Sequence, residues 1–347
     1  MKNSTRMLVP DLQSAAASEN QNWTSIAFPV EAELQQVRKR IRQVLAADHP
    51  LLHQRLLTLA ETPGKMLRPL VFLLSVQTCG QVKPTHIDLA AAVELIHMAT
   101  LLHDDVVDQA VLRRGRPSAN FLWGNTAAVL LGDFLLSRAF AIGNQLYRPD
   151  LTEQVVQTAQ QICEGELLQN LHQGNWEMNE ELYEHIIEAK TAALFAASCS
   201  LGAQLAEADN FSVQALNQYG QKFGLAFQIC DDWMDLFGNE EKTGKTIGTD
   251  LAEGKPTLPV ILWLKNLSES DRKKALSLLA DSKKHRSSIA KKIRQSEVIR
   301  QIQQKLLALQ KQAQEALAPL APSTAKTSLC RLVESITASV NLSRLPQ

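Results

Sequence analysis

Apolar residues recur at three- and four-residue steps along almost the whole chain from about residue 31. Leu34, Val37, Ile41, Val44 and Leu45 form one such stripe, with charged and amide residues between them. That period places them on one face of an amphipathic helix. The same reading predicts a long apolar-rich helix over 88–108, ending in acids. Further long helices are predicted over 120–147, 151–171, 182–205, 213–237 and near 289–317. Alternating runs bounded by turn residues, the mark of strands, are missing. The breaks are local: Thr62-Pro63-Gly64, Arg148-Pro149-Asp150, Gly238 to Gly254 and Pro319 to Ser323. The Lys- and Ser-rich stretch 281–288 reads as a short loop between helices. There is no repeat at a fixed period and no long linker. The expectation is an all-α chain, one large helical domain over 29–347. A loose Ser-, Asn-, Gln- and Ala-rich leader over 1–28 precedes it.

Composition narrows the class. Aromatics are 5% of the 347 residues, which suits helices better than sheets, and 45% apolar residues exclude a disordered polymer. Lys plus Arg number 36 and Asp plus Glu number 36, so a general nucleic-acid binder with a basic surplus is excluded. No uncharged apolar stretch of about 18 residues is present, so no membrane-spanning helix is predicted. The N-terminus lacks the apolar core of a secretory signal. Its basic Lys2 and Arg6 are countered by Asp11 and Glu19, against an organelle-targeting segment. The five cysteines are widely spaced with no Cys-x-x-Cys pair, against a zinc cage or a disulfide framework. A soluble cytoplasmic protein is expected.

The chemistry lies in two acid runs. Asp104-Asp105-Val106-Val107-Asp108 ends one apolar helix, and Asp231-Asp232-Trp233-Met234-Asp235 ends another. Residues four apart share a helix face, so Asp104 projects with Asp108 and Asp231 with Asp235. One such run alone reads as a solvated helix end. Two copies of one constellation, facing each other across a bundle, would set six carboxylates round one space. Clustered carboxylates repel unless a hard cation relieves them. All-oxygen ligands favour Mg²⁺ over zinc, and so many acids suit ions shared with a phosphate-bearing substrate. His97 lies two turns before Asp104, and Gln228 three residues before Asp231, on the acid-bearing faces. Cations accompany them. Gly64-Lys65-Met66-Leu67-Arg68-Pro69 opens a helix, with Lys65 and Arg68 spaced to clamp one phosphate group. Arg113-Arg114-Gly115 follows the first run, and Lys190-Thr191, Lys245 and Lys255 add further charge. Lys245 in Thr243-Gly244-Lys245-Thr246 is no P-loop, because position 239 is Asn and no strand precedes it.

Taken together these residues resemble the trans-polyprenyl diphosphate synthases, and most closely their long-chain members. The two aspartate-rich runs, Gly64 to Pro69, Arg113 to Gly115, Lys190-Thr191, Gly244 to Asp250 and Glu253 to Pro259 occur in the family's order over about residues 30 to 345. Two departures stand out, Pro63-Gly64 for a Gly pair and Met66 for a second basic residue. The resemblance implies an all-α bundle around a deep central cavity, forming a homodimer. Isopentenyl diphosphate would be held by Gly64, Lys65, Arg68, His97 and Arg114. An allylic diphosphate would be held through about three Mg²⁺ ions on Asp104, Asp108 and Asp231. Arg113, Lys190, Thr191, Gln228, Lys245 and Lys255 would surround it, and Asp105, Asp232 and Asp235 would support the metals. The allylic C–O bond ionises, the double bond of isopentenyl diphosphate attacks the cation, and a proton leaves.

In this family the residues four and five before the first Asp form the floor of the product tunnel; here they are Thr100 and Ala99, both small. His97-Met98-Ala99-Thr100-Leu101-Leu102-His103 resembles the long-chain members most closely, which implies a product of roughly six to ten units; each helical turn climbs about 5.4 Å, so a floor one turn deeper would lengthen it by about one unit. A quinone side-chain precursor and transient membrane contact on product release are in keeping with that length. Other readings share parts of the pattern: a farnesyl or geranylgeranyl diphosphate synthase, a class I terpene cyclase, and the catalytic subunit of a heteromeric synthase.

Overall fold

The computed structural model describes residues 23–61, 64–238 and 247–340. Residues 23–27 are helical and lead into a 3₁₀ turn, Phe28–Val30. Ile26 and Val30 are completely buried, so the core begins ahead of the boundary at residue 29; residues 1–22 lie outside the described residues. Helix α1 (Glu31–Val44) carries the expected stripe, with Leu34, Val37 and Ile41 inside. Helices α2 (Pro50–Ala60), α3 (Leu67–Cys79) and α4 (Pro84–Val107) follow. Pro50 and Pro84 open their helices, where the ring's fixed φ is already helical and no hydrogen bond is lost. Helix α3 is buried on all sides from Leu67 to Val76, as a helix without an amphipathic period must be.

A two-residue hairpin, β1 (Leu112–Arg113) against β2 (Arg116–Pro117), follows α4. Arg114 and Gly115 turn it at φ 54° and 74°, the left-handed conformation of a tight hairpin. Strands this short leave no alternation in a sequence. The helix expected over 120–147 is two, α5 (Ala119–Trp123) and α6 (Asn125–Gln145), because Gly124 at φ 84° breaks it. Helix α7 (Pro149–Leu171) comes next. The helix expected over 182–205 becomes α8 (Glu180–Ile187), a π-helical turn (Glu188–Ala192) and α9 (Ala193–Leu205). The long α10 (Asn210–Phe237) is followed by α11 (Thr249–Glu253), α12 (Leu258–Lys265), α13 (Glu269–Leu279), α14 (Ser282–Arg294), α15 (Val298–Leu317) and α16 (Thr324–Ala338). The stretch 281–288 is therefore not a loop. It forms the first half of α14, whose buried contacts are only Ser282, Ile289 and Ile293, too sparse a face to show as a period. The helix expected near 289–317 is parted at Gln295-Ser296-Glu297.

Two apolar cores hold these helices. One joins α1, α3, α4, α6, α7, α9, α16, the first part of α10 and the end of α15. The other joins α8, α12 to α15 and the rest of α10. Helix α10 passes from the first to the second between Phe223 and Leu225, and the 180–205 segment does so between Leu194 and Ala192. There Gly224 lies so close that a Cβ would stand 2.5 Å from Ala192 Cα. Helices α4 and α6 and the 180–205 segment are long and apolar enough to cross a membrane by length and composition. The first and third hold most of that surface inside the fold, whereas α6 buries only 39% of it. Phe121 and Leu122 of α5 and Val129 and Leu130 of α6 are exposed.

Candidate active site

The first acid run occupies the last turn of α4. Burial pushes the Asp104 carboxyl up to about 6; Lys190 opposes the shift, while Glu166 and Asp108 add to it. Asp105 is buried and turned into Arg113, whose Nε donates to its Oδ1 at 2.7 Å and whose Nη2 donates to the same oxygen. Asn120 Nδ2 donates to the backbone carbonyls of Asp105 and Ala110 at 2.9 and 3.0 Å. The hairpin after α4 is thus strapped back onto the helix end. Asp108 accepts from Lys255 Nζ at 2.7 Å, and the same ammonium pairs with Glu253 at 2.8 Å.

The second run lies near the end of α10. Asp232 is buried and both its oxygens are engaged, by Tyr183 OH at 2.6 Å and Gln228 Nε2 at 2.7 Å. Gln228 Oε1 in turn accepts from Thr191 Oγ1 at 2.7 Å. Burial raises the Asp232 carboxyl to about 7 against the pull of these donors. Asp235 accepts from Thr249 Oγ1 at 2.7 Å and from the N–H groups of Thr249 and Asp250 at 3.2 Å. Asp231 stays exposed. Burial, then Asp235 and Asp232, hold the Asp250 carboxyl well above its usual range.

Lys190 and Thr191 sit on the π turn between α8 and α9. Lys190 Nζ pairs with Glu166 and donates to Gln169 Oε1 at 2.7 Å, both on α7. Gly165 makes that approach possible: a Cβ there would stand 2.6 Å from the Lys190 nitrogen. Arg68 is buried on α3, its guanidinium 4.5 Å from the centroid of the Phe195 ring. Burial lowers its pKa to about 10, while Glu94, Asp104 and Asp231 all act to hold its charge. One guanidinium that feels both Asp104 and Asp231 places the two acid runs around a common space. Gly64 is pressed against Arg114, whose Nη1 would lie 2.5 Å from a Cβ, and its carbonyl accepts from Arg38 Nη2 at 3.3 Å. Beside this cluster opens a cavity of about 120 Å³, lined in part by Arg38, Arg42, Glu94, Met98, Arg114 and Arg116.

Most residues expected from the sequence therefore converge. Lys65 does not join them here: it is exposed, 5.0 Å over the Trp23 ring. Lys245 lies outside the described residues. His97 is half-buried on the Asp104 side of α4, and Thr100 Oγ1 donates to its carbonyl at 2.8 Å. Ala99 is completely buried, one turn before His103, which meets Val129 and Asp133 of α6. The sequence reading missed Glu94, Glu166, Gln169, Tyr183 and Glu253. Glu166 and Gln169 are spaced to share a face of α7, but nothing local says which face meets Lys190.

Six carboxylates open to one space are not what results. Among the described residues no three His, Cys, Asp or Glu side chains converge as a ready ion cage. The reason is that Arg113, Lys255, Tyr183 and the start of α11 already occupy several of the oxygens. The donor set nevertheless fits a hard divalent cation. It is all oxygen, and Asp104 is a desolvated carboxyl beside two further acids. An ion there needs its remaining oxygens from outside the protein.

An all-helical chamber with two carboxylate runs around a buried arginine is built to take a polyanion together with cations. Residues 49–296 match the family model for polyprenyl synthetase, and the chain belongs to that family. It is accordingly a prenyltransferase. It is 39% identical over 225 residues to the octaprenyl diphosphate synthase of Escherichia coli, covering 65% of this chain and 70% of that one. The decaprenyl diphosphate synthase of Rhodobacter capsulatus superposes with a TM-score of 0.85 at 32% identity, over 94% of this chain and all of the other. A polyprenyl synthase from Caulobacter crescentus, solved with calcium and isoprenyl diphosphate, superposes at 0.84 with 33% identity, over 91% of this chain and 97% of that one.

Proposed function

We propose that this enzyme adds isopentenyl diphosphate units to an allylic diphosphate and releases a long all-trans polyprenyl diphosphate, roughly six to ten units as the resemblance to the long-chain synthases implies. The observation that carries the chemistry is Lys255, which follows the helix that bonds Asp235 and reaches Asp108, so that both acid runs border one space beside the buried Arg68. The similar octaprenyl and decaprenyl diphosphate synthases support the length.

Mg²⁺ would be held by Asp104, Asp108 and Asp231, and when bound it neutralises a diphosphate and makes it a better leaving group. Asp105, Asp232 and Asp235 are hydrogen-bonded within the protein, so they brace Asp104, Asp108 and Asp231. Lys190 and Lys255 rest on Glu166 and Asp108 before substrate arrives. An incoming diphosphate offers them a stronger charge, and both swap partners to hold the leaving group with Arg113. Arg68, Arg114 and His97 hold the diphosphate of isopentenyl diphosphate on the other side, and Lys65 joins them only by leaving the Trp23 ring. Its double bond is fixed against the allylic carbon, and the greasy walls keep water from the cation. No protein nucleophile is needed. The proton lost at the end goes to the released diphosphate, the nearest strong acceptor. The exposed apolar face of α5 and α6 fits a second copy of the chain, which would bury Phe121, Leu122 and Leu130.

Purified protein incubated with Mg²⁺, labelled isopentenyl diphosphate and farnesyl or geranylgeranyl diphosphate tests the proposal. After dephosphorylation, a ladder of alcohols ending at about six units or more is expected. A stop at three or four units keeps the chemistry and refutes the length. No incorporation with any primer refutes the proposal for this chain alone.

A further inference from the structure

Glu94 stands ten residues before Asp104 on α4 and lines the small cavity together with Arg38, Arg42, Arg114 and Arg116. It is 5% exposed, and its Oε2 has no hydrogen-bond partner among the described residues. Three guanidiniums from three separate elements act on it: Arg68 from α3, Arg114 from the hairpin and Arg38 from α1. Arg68 is itself 8% exposed with its Nε unpartnered. Arg38 also donates to the carbonyl of Gly64, which lies against Arg114. Three like charges drawn together in a desolvated place repel strongly. Burial pushes the Glu94 carboxyl up and the three guanidiniums pull it back; in its charged form it offsets part of their repulsion and leaves a surplus of two positive charges. That surplus matches a diphosphate, and the two orphaned polar atoms show a cluster not satisfied from within the protein.

We propose that Glu94 is a positioning residue for the homoallylic substrate: it gathers Arg68, Arg114 and Arg38 into a preformed receptor for the diphosphate of isopentenyl diphosphate. Arg38, which no motif singles out, then belongs to that receptor by bracing the Gly64 turn. The inference rests on the reading above that Arg68 and Arg114 bind this substrate.

The test turns on a sign. Simple charge arithmetic says that neutralising an acid beside a dianion tightens binding, so Glu94→Gln would lower the KM for isopentenyl diphosphate. Positioning says the reverse: released arginines splay apart, and that KM rises roughly tenfold or more. The KM for the allylic primer and kcat stay within about twofold. Glu94→Asp restores part of the loss, and Arg38→Gln reproduces the split more weakly. Thermal unfolding of each variant shows that it is folded. An unchanged or lowered KM in folded Glu94→Gln overturns the proposal, as does a fall in kcat alone. Arg68→Ala is the control for the underlying reading. If it leaves the KM for isopentenyl diphosphate unmoved, the substrate assignment fails; if it raises that KM while Glu94→Gln does not, only the role of Glu94 fails.

Discussion

Replacing Gly165 with alanine would damage catalysis from a position that touches no substrate. The added Cβ would stand 2.6 Å from the Lys190 backbone nitrogen and 3.0 Å from both Lys190 Cα and Ala189 Cβ. Ordinary contact begins near 3.4 Å, so α7 and the π turn must part by about 0.8 Å. Neither side can yield by rotating a flexible side chain, because the atoms met are backbone and a Cβ. Overpacking of this kind costs about 1–3 kcal/mol. The larger effect falls on Lys190, whose ammonium is aimed by Glu166 and Gln169 on α7. A displacement near 1 Å of a positioned group costs roughly a hundredfold in rate. Single-turnover ionisation of the allylic substrate and thermal unfolding of Gly165→Ala separate the two effects. A fall in rate of roughly a hundredfold is expected with a lowering of Tm by several degrees. A rate within about twofold of the parent would refute the argument that this close approach sets the position of Lys190.

Other expectations follow from the same geometry. Asp104→Ala or Asp231→Ala should cut turnover by about a thousandfold or more without unfolding the protein; retained turnover in both would remove the metal-site reading. In metal-free protein, Asp104 and Asp232 hold protons to about 6 and about 7 that the unfolded chain releases near 3.8. Stability should therefore fall as pH rises through that window, by an amount of order 3 kcal/mol for each group. Urea midpoints in chelator should be higher near pH 5 than near pH 8, and Mg²⁺ with pyrophosphate should narrow the gap; a midpoint that rises with pH would contradict this. Ala99→Phe should shorten the product sharply on the tunnel reading, and an unchanged product ladder in folded variant would sink the tunnel assignment. Tyr183→Phe should cost about 1–3 kcal/mol by leaving one Asp232 oxygen unpaired, read as a loss of Tm in the metal-free state.

Much of this protein is legible from local pattern, and the failures share a cause. The stripe on α1 and the paired acids report on a single helix, and period or spacing carries them. Gly124 and the π turn change the path without changing the pattern, because apolar residues continue on both sides. Helix α14 was hidden by lysines that fill its solvent face. Most of the pairings left unread are non-local. Tyr183 lies 49 residues from Asp232, and Lys255 lies 147 from Asp108. Asp105 and Asp104 are neighbours with the same formula, yet one faces an arginine and the other the chamber. Spacing puts them on different faces of α4; only the packed fold says what each face meets.

The crossing at Gly224 and Ala192 has a thermodynamic meaning. Asp104 and Asp108 stand on a helix rooted in the first apolar core, whereas Asp231 and Asp235 stand on the part of α10 rooted in the second. Each core is large enough to act as a cooperative unit of its own. A ligand that engages both acid runs spans the two like a staple, and its binding energy would be shared between both cores. Amide exchange in α12 to α15 should then slow together with that in α4 when substrate is bound, although α12 to α15 carry neither acid run.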